Sequence, residues 1–200
     1  MKATKRIWAS LLAVLLTCCL QAQNNYPLNI VVKTNHPREV QTKEQLVRLM
    51  NVYDLSKWTF TKTVSIENGF NVIPHSHPVL TLSTRHLRDD ELLLATYIHE
   101  QLHWFIDTAA GSKAAYNEIK ALYPNPPGAF PQSSGDTTST WYHILICYLE
   151  YRALVQLIGE LKTFQVISFW QQDHYTWIYK EVWENSQKLE EIIQKHRLIP

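Results

Sequence analysis

Cysteine is scarce in this 200-residue chain, and the positions of its three cysteines exclude a disulfide-stabilised scaffold. Cys18 and Cys19 lie in an N-terminal segment that we expect to be removed, which leaves Cys147 as the only cysteine of the mature protein. A domain without internal disulfides has to be stabilised by its hydrophobic core. The roughly 178 residues that remain are enough for one domain with such a core.

The chain also lacks an apolar run long enough to span a membrane. Its N-terminal apolar run, 7–16, follows three basic residues and precedes a small-residue region that ends near Ala22. This pattern is typical of a secretory signal peptide, so we expect residues 1–22 to be cleaved and the mature protein to be secreted or periplasmic. A lipoprotein anchored through Cys18 or Cys19 is the less favoured alternative.

Neither sign of charge dominates the chain. Without Lys2, Lys5 and Arg6 of the predicted signal peptide, 16 Lys and Arg residues stand against 18 Asp and Glu residues, a net charge of −2. Proteins that bind nucleic acid or anionic membranes usually carry a basic excess. The composition therefore indicates neither nucleic acid nor an anionic membrane as a partner.

The most informative motif is the segment 99–103, which reads His-Glu-Gln-Leu-His. It lies in a stretch, 89–110, whose apolar spacing, acidic start and terminal glycine predict one amphipathic helix. A spacing of four residues puts both imidazoles on one helix face, where they can bind the same metal ion. Glu100 would lie beside the metal as general base for a water molecule. We therefore predict a zinc site with His99 and His103 as ligands, against the alternative of a chance match.

A catalytic zinc site usually has three protein ligands, and a second predicted helix, 141–161, offers two candidates for the third. Glu150 is the only acidic residue between Trp141 and Gly159, and a lone carboxylate among apolar side chains needs a strong partner. His143 lies seven residues earlier on the same face. We expect Glu150 to be the ligand, with pairing to a basic residue as its alternative. If Glu150 is the ligand, His143 is either a catalytic group that binds the oxyanion or a core residue. The alternative is that His143 itself is the third ligand.

Hydrophobic patterning predicts strands in the N-terminal half and helices in the C-terminal half. The expected strands are 28–33, 58–66, 70–73 and 79–84. Asn68-Gly69 favours a type I′ turn, which would join the second and third strands as a hairpin. The expected helices are 42–50, 89–110, 112–123, 141–161 and 175–196, with a long loop at 124–140. Strands followed by helices predict one α+β domain over residues 23–200.

These residues together resemble the gluzincin branch of the zincin metallopeptidases. The resemblance consists of the His-Glu-x-x-His helix and a later helical glutamate in the setting Glu150-Tyr151-Arg152-Ala153, and it covers about residues 58–160. The third histidine of the metzincins is absent from 107–112. The resemblance implies a zincin-like fold, with a small mixed sheet, an antiparallel edge strand, an active-site helix and a helical C-terminal half. It also implies a zinc-dependent peptidase that cleaves peptide bonds.

By the same resemblance, residues 79–84 would be the edge strand along which an extended peptide or protein substrate binds. His75 and His77 would line the cleft, unless they are exposed loop residues. His174, Tyr175 or Tyr179 would donate a hydrogen bond to the oxyanion, unless they belong to the core. Two other functions stay open. One is a non-catalytic metal-binding module, which the presence of a general base disfavours, and the other is a zinc hydrolase of another amide or ester.

Overall fold

The structure is a computed structural model that describes residues 28–200. The predicted signal peptide, with Cys18 and Cys19, lies outside these residues. In chain order the elements are β1 (Asn29–Val32), α1 (Pro37–Val52), β2 (Thr63–Glu67), β3 (Leu80–Ser83), α2 (Asp90–Thr108), α3 (Ser112–Leu122), α4 (Thr137–Asp173), α5 (Thr176–Glu184) and α6 (Ser186–Lys195). Within this part of the chain, no helix is both long enough and apolar enough to cross a membrane.

The three strands form one parallel sheet in the order β1-β2-β3, so the fold is α+β as predicted but the sheet is not mixed. Ile30, Val64 and Leu80 are aligned across it. β3 lies at the edge, yet it runs parallel to β2, so the expected antiparallel edge strand and the hairpin at Asn68-Gly69 are wrong. The dozen or so residues between β2 and β3 are long enough to return the chain to the starting end of the sheet.

The helices begin and end where capping groups allow. The Asp89 side chain accepts a hydrogen bond from the Leu92 backbone N–H at 3.0 Å, which starts α2 within one residue of its predicted position. α1 begins earlier than predicted, because the capping box is formed by His36 and Glu39 rather than by Thr42 and its neighbours.

Helix α4 is the longest element and continues well beyond its predicted end. Gly159 interrupts it with a φ of 78° and a ψ of 166°, a left-handed φ that glycine adopts without strain. The part before Gly159 packs against α2. His99 contacts Glu150, and His103 contacts His143. Since the numbering rises along α2 as it falls along α4, the two helices run antiparallel.

Candidate metal centre

Three imidazoles meet where α2 and α4 pack together. His99 and His103 come from one face of α2, and His143 comes from the facing side of α4. The ring centroids are 5.2 Å apart for His99 and His103, 5.6 Å for His99 and His143, and 5.0 Å for His103 and His143. One nitrogen from each ring lies within 4.8 Å of the other two. A single metal ion can therefore be reached by all three side chains after small adjustments.

Hydrogen bonds leave the Nε2 atoms of two of these rings available for a metal. His143 Nδ1 lies 2.8 Å from the Ser139 carbonyl oxygen, which can only accept, so Nδ1 carries the proton. His99 Nδ1 lies 2.9 Å from Glu150 Oε2 and donates to it. A proton on Nδ1 leaves the lone pair on Nε2, which is the arrangement that a metal-binding histidine requires.

All three histidines are held in their neutral form. Burial lowers the pKa of His99 to about 3, of His103 to about 2 and of His143 to about 3. The neighbouring imidazoles add to the effect on His103 and His143, because a charge on one ring disfavours a charge on the next. Only neutral imidazole binds a metal ion, so the site does not need to lose protons from these rings before binding one.

Glu150 contacts the Nδ1 atom of His99 and does not belong to the cluster that contains His103. Its Oε2 atom accepts from His99 Nδ1 and from the Tyr179 hydroxyl, at 2.9 and 2.8 Å, and its Oε1 atom has no hydrogen-bond partner among residues 28–200. Burial raises the pKa of Glu150 to about 8. Because burial keeps His99 neutral, the contact is a hydrogen bond from a neutral imidazole to the carboxyl group and not an ion pair.

Residues 28–200 contain two clusters whose donor atoms are close enough to share a metal. One is His99, His103 and His143, and the other is His99, Cys147 and Glu150. Neither contains His103 together with Glu150, so the set expected from the sequence is not brought together. The reason is the antiparallel packing, which places Glu150 level with His99 and places His143, two turns away, level with His103.

Glu100 lies next to the histidines and faces the cleft. It is 6% exposed. Burial, and to a smaller extent the Glu150 carboxylate, raises the pKa of Glu100 to about 8. A carboxyl group with a pKa near neutrality, beside a histidine cluster that could hold a metal ion, has the properties expected of a general acid–base.

A cleft of about 420 Å³ leads to Glu100 and His99. Aromatic side chains form much of its wall, namely Phe130, Trp170, Tyr175 and Tyr179. Besides His174, the cleft is lined by Asp173 and Arg85, which were not identified from the sequence. His174 Nδ1 donates to Asp173 Oδ2 at 2.7 Å, and Asp173 also pairs with Arg85. Only the adjacency of Asp173 and His174 could have indicated this contact, because Arg85 is far away in the sequence.

Of the three aromatic candidates for the oxyanion donor, Tyr175 lies closest to the histidines. Its ring centroid is 4.7 Å from that of His143 and 6.2 Å from that of His99. Its backbone is left-handed, with a φ of 52° and a ψ of 35°, which is strained for a tyrosine. The next two backbone N–H groups donate to carbonyls of the loop at 131–132, which holds this turn in place. The Tyr179 hydroxyl is already bonded to Glu150.

His75 and His77 lie outside the histidine cluster. The main chain of His75 is hydrogen-bonded to Thr81 of β3. The His77 ring stacks on Trp104 with centroids 4.1 Å apart, and its Nε2 atom lies 3.2 Å from an Asp107 carboxylate oxygen. Both histidines therefore fix the segment before β3.

Comparison with known proteins identifies no relative of this chain. No family model matches it, and neither a curated protein nor a solved structure does. The gluzincin resemblance accordingly stays a prediction from the motifs.

Proposed function

We propose that this chain is a zinc-dependent peptidase. The observation that carries the proposal is the convergence of three neutral imidazoles, one of which, His99, lines the cleft together with the buried carboxyl group of Glu100. Three histidine ligands with a further position left for water are typical of catalytic zinc sites, whereas structural sites are closed by four protein ligands.

We assign His99, His103 and His143 as the zinc ligands, and Glu150 as the residue that positions His99. The hydrogen bond from His99 Nδ1 to Glu150 supports this assignment, because metal-binding histidines usually donate their second N–H to a carboxylate or carbonyl. The Ser139 carbonyl has the same relation to His143. The set predicted from the gluzincin resemblance, with Glu150 as third ligand, is the competing assignment.

A bound zinc ion would polarise the scissile carbonyl and make water more acidic. Glu100 accepts the proton of the attacking water and returns it to the leaving amine, and a pKa near neutrality suits both transfers. The Tyr175 ring is the nearest of the candidate donor side chains to the histidines, and its hydroxyl would stabilise the substrate oxygen as negative charge develops on it. The aromatic wall of the cleft suits the side chains of a peptide.

The rival functions remain those that the motif leaves open. A non-catalytic zinc module would not need Glu100, so its position at the cleft favours catalysis. Hydrolysis of another amide or an ester uses the same groups and differs only in the substrate. Because a signal peptide is predicted, we also propose that this peptidase is exported.

The test combines zinc content with turnover. The purified chain should contain about one zinc ion, and His99→Ala or His103→Ala should lose it. Glu100→Gln should keep the zinc and lose cleavage of quenched fluorescent peptides, because it removes a base and not a ligand. His86→Phe is the matched control, since His86 is another buried histidine lining the cleft but stands outside the cluster.

Two results would contradict the proposal. Zinc loss in Glu100→Gln comparable to that of the histidine variants would show that Glu100 is a ligand. A zinc-loaded wild type that cleaves no member of a peptide library would favour a non-catalytic module, or an esterase if it cleaves nitrophenyl esters instead.

A further inference from the structure

The edge of β3 that faces away from β2 is partly occupied by the chain itself. His75 donates its backbone N–H to the Thr81 carbonyl at 3.1 Å, and the Thr81 N–H donates to the His75 carbonyl at 2.8 Å. The contact is an antiparallel bridge in the middle of the strand. These are the main-chain groups with which an extended peptide would pair if it added to this edge. We call residues 73–77 the strap.

The strap is also tied to the active-site helix. The Trp104 indole N–H donates to the Ser76 carbonyl at 2.9 Å, and the His77 ring stacks on the Trp104 ring. Trp104 directly follows His103 in α2. The strap therefore bridges β3 and the helix that carries two of the candidate ligands.

The strap forms one wall of the cleft, but little of its apolar surface is buried. Ile73 and Pro74 line the cleft together with His99 and Glu100. Ile73 is 78% exposed, and Phe70, three residues before the strap, is fully exposed. Segments held by a few hydrogen bonds and little buried apolar area open far more readily than the core unfolds.

We propose that the closed strap restricts the cleft to short peptides, and that a longer extended substrate has to displace it from Thr81. This inference rests on the proposed peptidase function. A short peptide needs only the cleft beside Glu100, so it binds with the strap in place. A longer chain gains main-chain hydrogen bonds along β3 only after His75 has left Thr81. The strap is then the segment that determines which substrate lengths are cleaved.

The first experiment locks the strap with a disulfide, by combining His75→Cys with Thr81→Cys. Residues that exchange two hydrogen bonds across antiparallel strands have Cα atoms about 5.5 Å apart, which a disulfide can span. Cys147 is fully buried and should not interfere. The oxidised variant should cleave five-residue peptides like its reduced form. It should cleave twenty-residue peptides at least about tenfold more slowly, and reduction should restore that rate. Each single-cysteine variant is a control.

The second experiment loosens the strap. Trp104→Phe keeps an aromatic ring under His77 and removes the hydrogen bond to Ser76. Loss of one such bond should raise kcat/KM for twenty-residue peptides about fivefold and leave five-residue peptides unchanged. Trp183→Phe is the matched control, because Trp183 is a half-exposed tryptophan on α5 that does not line the cleft.

The outcomes separate this inference from the proposed function. The strap inference would be wrong if the ratio of the cleavage rates of long and short peptides were the same in the locked, reduced and Trp104→Phe proteins. The proposed peptidase function would not be affected by that result. Absence of turnover on both lengths in zinc-loaded wild type would overturn both. If the double-cysteine variant fails to fold, the Trp104→Phe comparison decides by itself.

Discussion

Substitutions of Glu150 and His143 should distinguish a three-histidine site from a site with a glutamate ligand. With three histidine ligands, Glu150 affects the metal only through the hydrogen bond that it accepts from His99 Nδ1. A glutamine oxygen can accept the same bond, so Glu150→Gln should keep zinc, with at most the 10–100-fold loss of affinity typical of such supporting residues. His143→Ala removes a direct ligand and should weaken zinc binding by more than that.

Glu150→Ala should have a second, separate effect on stability. It leaves the His99 N–H and the Tyr179 O–H without an acceptor in a buried site. An unsatisfied buried donor costs about 1–3 kcal/mol, so the free energy of unfolding of the zinc-free protein should fall by roughly 2–6 kcal/mol. Tyr179→Phe removes only one of the two hydrogen bonds and should cost about 1 kcal/mol without changing zinc affinity appreciably.

The assay is titration of zinc against a competing chelator for the wild type and the four variants, followed by urea unfolding of the zinc-free proteins. The reasoning fails if His143→Ala keeps wild-type affinity while Glu150→Gln loses zinc by orders of magnitude. That result would restore His99, His103 and Glu150 as the ligand set and support the gluzincin prediction.

Two further predictions concern stability. Burial lowers the pKa of His86 to about 4, so between pH 6.5 and pH 5 the unfolded chain takes up a proton that the folded chain does not. His86 should therefore make folding about 2 kcal/mol less favourable at pH 5 than at pH 7. In urea unfolding, the free energy of unfolding of His86→Phe should fall by about 2 kcal/mol less than that of the wild type between these two pH values. An equal pH dependence in both proteins would contradict the assigned cause. Gly111→Ala should destabilise the protein by about 1–3 kcal/mol, because its Cβ would lie 2.0 Å from the His196 carbonyl oxygen. Gly128→Ala, whose Cβ would make only an ordinary contact at 3.9 Å, should unfold like wild type in a thermal melt, and equal effects of both changes would refute the clash.

Local patterns predicted several elements closely, although the single helix expected at 175–196 is divided into α5 and α6 at Asn185. Helix α2 was predicted at 89–110 and extends over Asp90–Thr108, since its cap, apolar face and end are all encoded locally. The first and last strands lie within their predicted ranges for the same reason.

The second strand shows where alternation misleads. It was predicted at 58–66, but β2 begins only at Thr63. The backbone N–H groups of Phe60 and Thr61 donate instead to the Gln101 side chain, at 2.7 and 2.8 Å. A side chain of α2 thus accepts hydrogen bonds from backbone N–H groups that would otherwise pair with a neighbouring strand. The turn signal at Asn68-Gly69 was likewise overridden, because β3 pairs with β2 only after the chain has returned along the sheet.

The sequence by itself determined that His99 and His103 share a helix face with Glu100 between them, because a spacing of four residues has the same geometry in any α-helix. It also identified His143 and Glu150 as the two candidates on a second helix. Only the tertiary structure decided which of them faces His103. That choice depends on the direction and axial shift of α4 against α2, which long-range packing fixes and no local spacing encodes.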